Sequence, residues 1–201
     1  ACLELAAMTP FLFGIEARHL LTAVIMTAPS AASGPRGAAA YRITLAALLG
    51  DAERPLRDVE VSDLTQDSRQ ATPGSVFLAC QGRTAHGLQH AAAAVEKGAV
   101  AVLWEPAAGL EAPQLPASVV VHAIPGLSRR VGGIADRFFR EPSAGLDVAG
   151  ITGTNGKTTT AWLLAQAADA VGRKGAYLGT IGFGRPGALA GAGLTTPDCV
   201  S

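Results

Sequence analysis

Cysteine is scarce and scattered. Its three copies, Cys2, Cys80 and Cys199, lie far apart and form no C-x-x-C pair. A zinc site or a disulfide framework is thereby disfavoured, and the pattern fits a reducing compartment. An excess of one charge is missing too. Sixteen basic and sixteen acidic side chains balance to a formal net charge of zero. Such a chain has no electrostatic footprint for nucleic acid or an anionic membrane surface. Long apolar runs are also absent. Leu20–Met26 is far shorter than the roughly 20 residues that span a bilayer. Arg18 and His19 before it, with Ala31-Ala32-Ser33 after it, faintly resemble a secretion leader, but Glu4 and Glu16 oppose that reading. We expect no stable membrane insertion and a cytoplasmic location.

What is present is apolar and small. Hydrophobic residues make up 49% of 201, enough to bury the core of one large or two small domains. The chain begins with Ala1 and stops at Ser201, just after a Thr-Thr-Pro turn. We expect a piece of a longer protein, with Met26 as a plausible true start. Residues 1–40 stay unassigned as an extension expected to be disordered, and Ala28–Ala40, rich in Pro, Ser and Gly, reads as a flexible lead-in.

From Tyr41 the apolar pattern alternates between strand and helix. Ile43–Leu49 has helical spacing and stops at Gly50. Val59–Leu64 alternates like a strand. Ser75–Cys80, Ala99–Trp104 and Ala117–His122 read as buried strands, with helices over Leu88–Lys97 and Leu127–Arg140 between and after them. Glu141-Pro142-Ser143 breaks the last helix. This alternation predicts a small α/β domain over residues 41–142 and the start of a second one over 143–201. In the second, Leu146–Ala149 reads as a short buried strand, Thr160–Ala168 as a helix and Gly175–Thr180 as the next strand. Gly182–Gly193 reads as a mobile glycine-rich loop.

The stretch that organises the chain is Gly150-Ile151-Thr152-Gly153-Thr154-Asn155-Gly156-Lys157-Thr158-Thr159. A strand, a glycine-bearing turn and a helix start make a phosphate cradle. Glycines let backbone N–H groups approach phosphate oxygens, and the helix N-terminus adds unpaired donors and a positive dipole end. Lys157 would reach the β- and γ-phosphates, and the Thr158 hydroxyl would sit on Mg²⁺. The strict pattern asks for glycine at position 151, where this chain has isoleucine, so the loop is a variant. A tight turn with no ligand is the bland alternative.

Several motifs then fall in one order: Asp67-Ser68-Arg69, Pro73–Ala79, Gly82 with His86-Gly87, Gly98–Val102, Gly153–Thr159, Gly179-Thr180-Ile181-Gly182 and Thr195-Thr196-Pro197-Asp198. Together, over residues 41–201, they resemble the Mur ligases of peptidoglycan synthesis. Gly-Thr-Ile-Gly followed by Thr-Thr-Pro points to the branch that extends UDP-MurNAc-L-Ala-D-Glu with a diamino acid, meso-diaminopimelate or L-lysine. The resemblance implies a small UDP-binding α/β domain, then the start of a P-loop ATPase domain. It implies ATP as a substrate with Mg²⁺ as cofactor, a monomer, and an acyl-phosphate route to an amide bond. ATP would be held by Gly153, Thr154, Asn155, Gly156, Lys157, Thr158 and Thr159, with Lys157 catalytic and Thr158 on the metal. The UDP-linked substrate would be held by Gln66, Ser68, Arg83, Thr84 and Ala85, and by Thr195 and Thr196. Leu194 stands where the family often has Asn, and Arg83 where some members carry His. Further Mg²⁺ ligands, a carbamylated lysine and the amino-acid-selecting domain would follow Ser201, so the piece alone is expected to lack ligase activity. Two alternatives are the sibling ligase that adds D-Ala-D-Ala and a non-catalytic nucleotide-binding module. Without the resemblance, Asp67 and Ser68 would read as an Asx-type turn.

Other residues have simpler readings. His86 and His90 are four apart, but no third ligand accompanies them as a zinc pair. Arg129, Arg130, Arg137 and Arg140 read as a solvated helix face. Trp104, Trp162 and Cys80 read as packing residues.

Overall fold

The computed structural model describes residues 23–28, 41–50, 58–82, 85–191 and 200. The chain divides into two compact units, whose common boundary lies between Glu141 and Pro142.

The unit that begins after the proline-rich lead-in is a four-stranded parallel sheet in the order β4-β5-β6-β7: β4 (Asp63–Thr65), β5 (Ser75–Ala79), β6 (Ala101–Trp104) and β7 (Val120–Ala123). Alternate residues feed two separate cores. Val76, Leu78, Ala101 and Leu103 face helices α1 (Leu45–Leu49) and α3 (Leu127–Phe138), and Phe77, Ala79, Val102 and Trp104 face α2 (Ala91–Glu96). A sheet covered on both faces needs apolar side chains in both directions. That is why Ser75–Ala79 and Ala101–Trp104 are buried without a break.

Three details depart from the sequence reading. The alternating run Val59–Leu64 is two strands, β3 (Glu60–Val61) and β4. Ser62 between them donates its N–H to Gly74 rather than to a ladder, and β3 pairs with β2 (Ile43–Thr44) in a separate two-stranded sheet. The helix from Leu88 starts instead as a 3₁₀ turn over Gly87–His90, capped by the His86 ring. Arg137 is no plain solvated face: its Nη1 donates to the Leu48 carbonyl at 2.6 Å and so closes the C-terminus of α1.

The second unit is a five-stranded sheet in the order β11-β10-β9-β1-β8. It joins β8 (Asp147–Ile151), β9 (Lys174–Gly179), β10 (Gly182–Arg185) and β11 (Ala188–Ala190) to β1 (Ala23–Ala28). Strand β1 comes from the extension expected to be disordered and runs antiparallel to both β8 and β9. Strand β8 lies at the sheet edge and is largely exposed, not buried; Val148 is 39% exposed. The glycine-rich segment after Gly182 is a hairpin rather than a mobile loop, turning at Pro186-Gly187 with Gly187 at φ +85°. Proline followed by a positive-φ glycine is the composition of a type II turn.

Helix α4 (Lys157–Ala170) lies on this sheet through Ala161 and Ala165, against Tyr177. Trp162 packs edge-on to Tyr177 with ring centroids 5.9 Å apart. Among the described residues no helix is long and apolar enough to cross a membrane.

Candidate functional site

Two clusters carry the chemistry, one in each unit. The first is the turn between β8 and α4. Gly153 (φ +143°) and Gly156 (φ +78°) take conformations that L side chains rarely adopt. Gly156 is the N-cap of α4 and offers no side-chain acceptor, and the first turn holds no acidic residue. The N-cap thus supplies no side-chain acceptor to the first-turn N–H groups, and donors at a helix N-terminus suit an anion. Residues 152–156 are all exposed. The Lys157 Nζ arches back over the turn and donates to the Gly153 carbonyl at 2.6 Å and towards that of Thr154 at 3.4 Å. The ammonium group is thus held over the loop by its own backbone.

The Thr158 and Thr180 hydroxyls meet at 3.1 Å. Thr180 directly follows β9, so the fold places the Gly-Thr-Ile-Gly segment beside the phosphate turn. Sequence reasoning marked that segment without giving it a role; its place after a strand was the available signal. The donor set fits a phosphate with a hard cation: a cation over the loop, backbone donors beneath it and two hydroxyl oxygens at its side. The β8–turn–α4 unit thus has the form of a phosphate cradle.

The second cluster lies at the C-terminal ends of β4, β5 and β6. Ends of parallel strands are where open α/β sheets bind ligands. Gln66 is half-buried, and its Nε2 donates to the Cys80 Sγ at 3.6 Å. Burial pushes the Cys80 thiol up to about 11, with the nearby Glu105 carboxylate adding to the rise, so it is a protonated packing group at neutral pH. Asp67 accepts from the Arg69 backbone N–H at 2.9 Å and pairs with its guanidinium at 2.8–3.1 Å. The Asx-type turn is therefore real. It leaves Ser68, half-buried at the start of the following 3₁₀ turn, as the member of the Asp-Ser-Arg block whose side chain the turn does not need. The hydrogen bonds and charge of Arg69 hold the Asp67 carboxyl down at about 2. A depressed carboxylate pKa contributes stability that is present above the ordinary value near 3.8 and is lost as pH falls through about 2. We expect the Asp67 carboxyl carbon resonance to titrate with a midpoint near 2, moving back towards 3.8 in Arg69→Ala. A midpoint near 3.8 in the unsubstituted chain would show that the pair does not form in solution.

Of the loop residues, Ala85 is exposed, and its carbonyl accepts from the Gly82 N–H at 3.0 Å. Arg83, Thr84, Thr195 and Thr196 lie outside the described residues. His86 and His90 are not a ligand pair. His86 is 5% exposed; its Nε2–H donates to the Glu105 carbonyl at 2.9 Å and its Nδ1 accepts from the Leu88 N–H at 3.0 Å. Both ring nitrogens are committed, and His90 is exposed at the start of α2. Among the described residues no group of three or more His, Cys, Asp or Glu is placed to hold a metal.

Fold and site together define an α/β protein with a parallel-sheet unit, followed by a strand, a glycine turn and a helix that begins with lysine. Comparison with known proteins makes the family specific. Residues 60–139 match the Mur ligase family, catalytic domain, and residues 151–201 match the Mur ligase middle domain. The chain belongs to the Mur ligase family. It is 48% identical over 141 residues to UDP-N-acetylmuramoyl-L-alanyl-D-glutamate--2,6-diaminopimelate ligase of Xanthomonas campestris pv. campestris, covering 70% of this chain and 28% of the relative. The ligases of the same name from Pseudomonas aeruginosa and Xylella fastidiosa are each 44% identical, over 142 and 155 residues; these alignments cover 71% and 76% of this chain and 29% and 30% of those proteins. The chain spans less than a third of the length of these curated relatives.

Proposed function

We propose that this chain is the nucleotide-holding part of an ATP-dependent ligase that joins a diamino acid to UDP-MurNAc-L-Ala-D-Glu. One observation carries the reading: a lysine and a threonine open a helix behind two positive-φ glycines, on a chain 44–48% identical to enzymes named for that ligation. Those names specify 2,6-diaminopimelate, which favours it over lysine as the added residue.

In this reading Gly153, Thr154, Asn155, Gly156, Lys157, Thr158 and Thr159 bind the ATP phosphates. Backbone N–H groups of the turn orient them, and the Lys157 ammonium exchanges its hold on the Gly153 carbonyl for phosphate oxygens. Mg²⁺, when bound, supplies charge neutralisation, and the Thr158 hydroxyl is its ligand, with the Thr180 hydroxyl next to it. Gln66, Ser68 and Ala85 take the uridine diphosphate at the strand ends, together with Arg83 and Thr84, and Thr195 and Thr196 meet the muramoyl peptide. Serine, amide and guanidinium groups suit a uracil edge and a diphosphate. Phosphoryl transfer asks mainly for position and charge stabilisation, and the residues above provide both.

Calorimetric titration of the chain with UDP-MurNAc-L-Ala-D-Glu, with UDP and UDP-GlcNAc for comparison, tests this. We expect saturable binding of the muramoyl dipeptide, weakened about tenfold by Ser68→Ala through one lost hydrogen bond to a charged ligand. No binding by a chain that circular dichroism shows to be folded would remove the uridine-site assignment.

A further inference from the structure

We propose that Glu105 is a positioning residue for the uridine-nucleotide site: it clamps both stems of the loop after β5 to the start of α3. The inference rests on the function proposed above and goes beyond it, because Glu105 is none of the residues assigned to a ligand there.

Glu105 follows the last residue of β6 and is half-buried, next to a strand that is buried throughout. A carboxylate at that place loses hydration and must be compensated by donors. It has three. Oε1 accepts from the Ser128 hydroxyl at 3.0 Å, and Oε2 faces the backbone N–H groups of Ser128 and Gln81, each at 3.4 Å. Its main chain is used as well: the N–H donates to the Ala79 carbonyl at 3.1 Å, and the carbonyl accepts from the His86 ring at 2.9 Å.

These contacts have a pattern. Gln81 and His86 are the two stems of the loop and are bridged to each other across it. Glu105 holds the first through its carboxylate and the second through its carbonyl. The same carboxylate stands at the N-terminus of α3, where the N-cap is Gly126 and gives no side-chain acceptor. A negative charge is favourable there. One residue thus ties the end of β6, both loop stems and a helix start into a single network, with the exposed Ala85 next to the His86 stem. The network also reaches the neighbouring strand ends, because Cys80, at the loop's root, accepts from Gln66 and lies within the field of Glu105.

Loop stems fixed before binding spare the ligand the cost of ordering them. Removing the clamp should weaken the nucleotide without removing any group that touches it. The test is calorimetric titration of the 201-residue chain with UDP-MurNAc-L-Ala-D-Glu and, separately, with ATP. We expect Glu105→Ala to weaken the UDP-linked ligand about tenfold and to leave ATP affinity unchanged, with Glu105→Gln, which keeps an acceptor for Ser128, recovering most of the loss. Ser128→Ala, which removes one donor and leaves the carboxylate, should give a smaller loss in the same direction. It provides the reading if Glu105→Ala does not fold. Equal affinity for the UDP-linked ligand in the wild type and every folded variant would overturn the clamp while leaving the ligase reading intact. An equal loss of ATP affinity would also overturn it, by showing general destabilisation. A folded wild type that binds no UDP-linked ligand would overturn the function proposed above, and the clamp with it.

Discussion

Lys157→Ala, placed in a ligase of the relatives' full length carrying this sequence, is expected to cut amide formation by about 10²–10³-fold or more, as the loss of a charge-stabilising group does at other transferring centres. The fold should scarcely notice. Among the described residues the Lys157 Nζ bonds only to carbonyls of an exposed turn, and alanine is the best helix former. The expected change in stability is within about 0.5 kcal/mol. That separation gives the experiment its force: a melt shows the protein intact while the assay shows it inactive. The same substitution in the present chain should weaken ATP binding and leave the UDP-linked ligand untouched. Turnover within a few-fold of wild type would sink the catalytic role of Lys157 and its loop.

Gly175→Ala is the second large effect, and it is structural. A Cβ built at Gly175 would lie 2.3 Å from the Ala165 carbonyl oxygen and 3.1 Å from the Ala168 Cβ. The first neighbour is helix backbone and cannot swing aside. Gly175 is buried at the start of β9, and its N–H donates to Asp169 Oδ1 at 2.9 Å, which fixes its distance from α4. Helix and strand must therefore separate or the hydrogen bond must break. We expect a loss of about 3 kcal/mol, the upper range for overpacking, because backbone must move. The displaced helix also carries Lys157 and Thr158, so ATP affinity should fall along with stability. Urea unfolding followed by Trp162 fluorescence would read the change, since that ring packs on Tyr177 between helix and sheet. A stability loss below about 0.5 kcal/mol would mean that α4 does not approach β9 this closely.

The two substitutions separate what the phosphate turn does from what supports it. On the proposed reading Lys157 acts on the ligand while bonding only to its own turn among the described residues, whereas Gly175 belongs to the fold and would act on the ligand through the helix. Glu105 resembles Gly175 in that respect, at the other cluster. On that reading each cluster combines groups proposed to meet a ligand with groups that hold them in place.

Much of this was legible in the residues themselves. Glycine at 153 and 156 before a lysine has a local meaning, because positive φ and a helix start are properties of a few consecutive residues. Runs such as Ser75–Ala79 and Ala101–Trp104 declared buried parallel strands, since a sheet covered on both faces demands apolar residues without alternation. The Asp67 turn was legible for the same reason, its partners being two residues away.

What the sequence could not decide depends on residues far apart along the chain. Val59–Leu64 has one alternation, yet Ser62 divides it, because Gly74 takes its N–H. Arg137 sits on a helix face that reads as solvated, but its guanidinium closes a helix 89 residues away. Gly182–Arg185 and Ala188–Ala190 look like a glycine-rich loop until β9 offers an edge on which β10 can pair. The ring nitrogens of His86 look available at a spacing of four, and they are consumed by Leu88 and Glu105. Thr180 and Glu105 follow the same rule. The sequence alone determined which short segments bend, cradle or bury, since those follow from backbone freedom and hydrophobicity within a few residues. Only the tertiary structure decided which polar groups remain free for a ligand, because a hydrogen-bonding group is committed or free according to the strand or helix that the fold brings beside it.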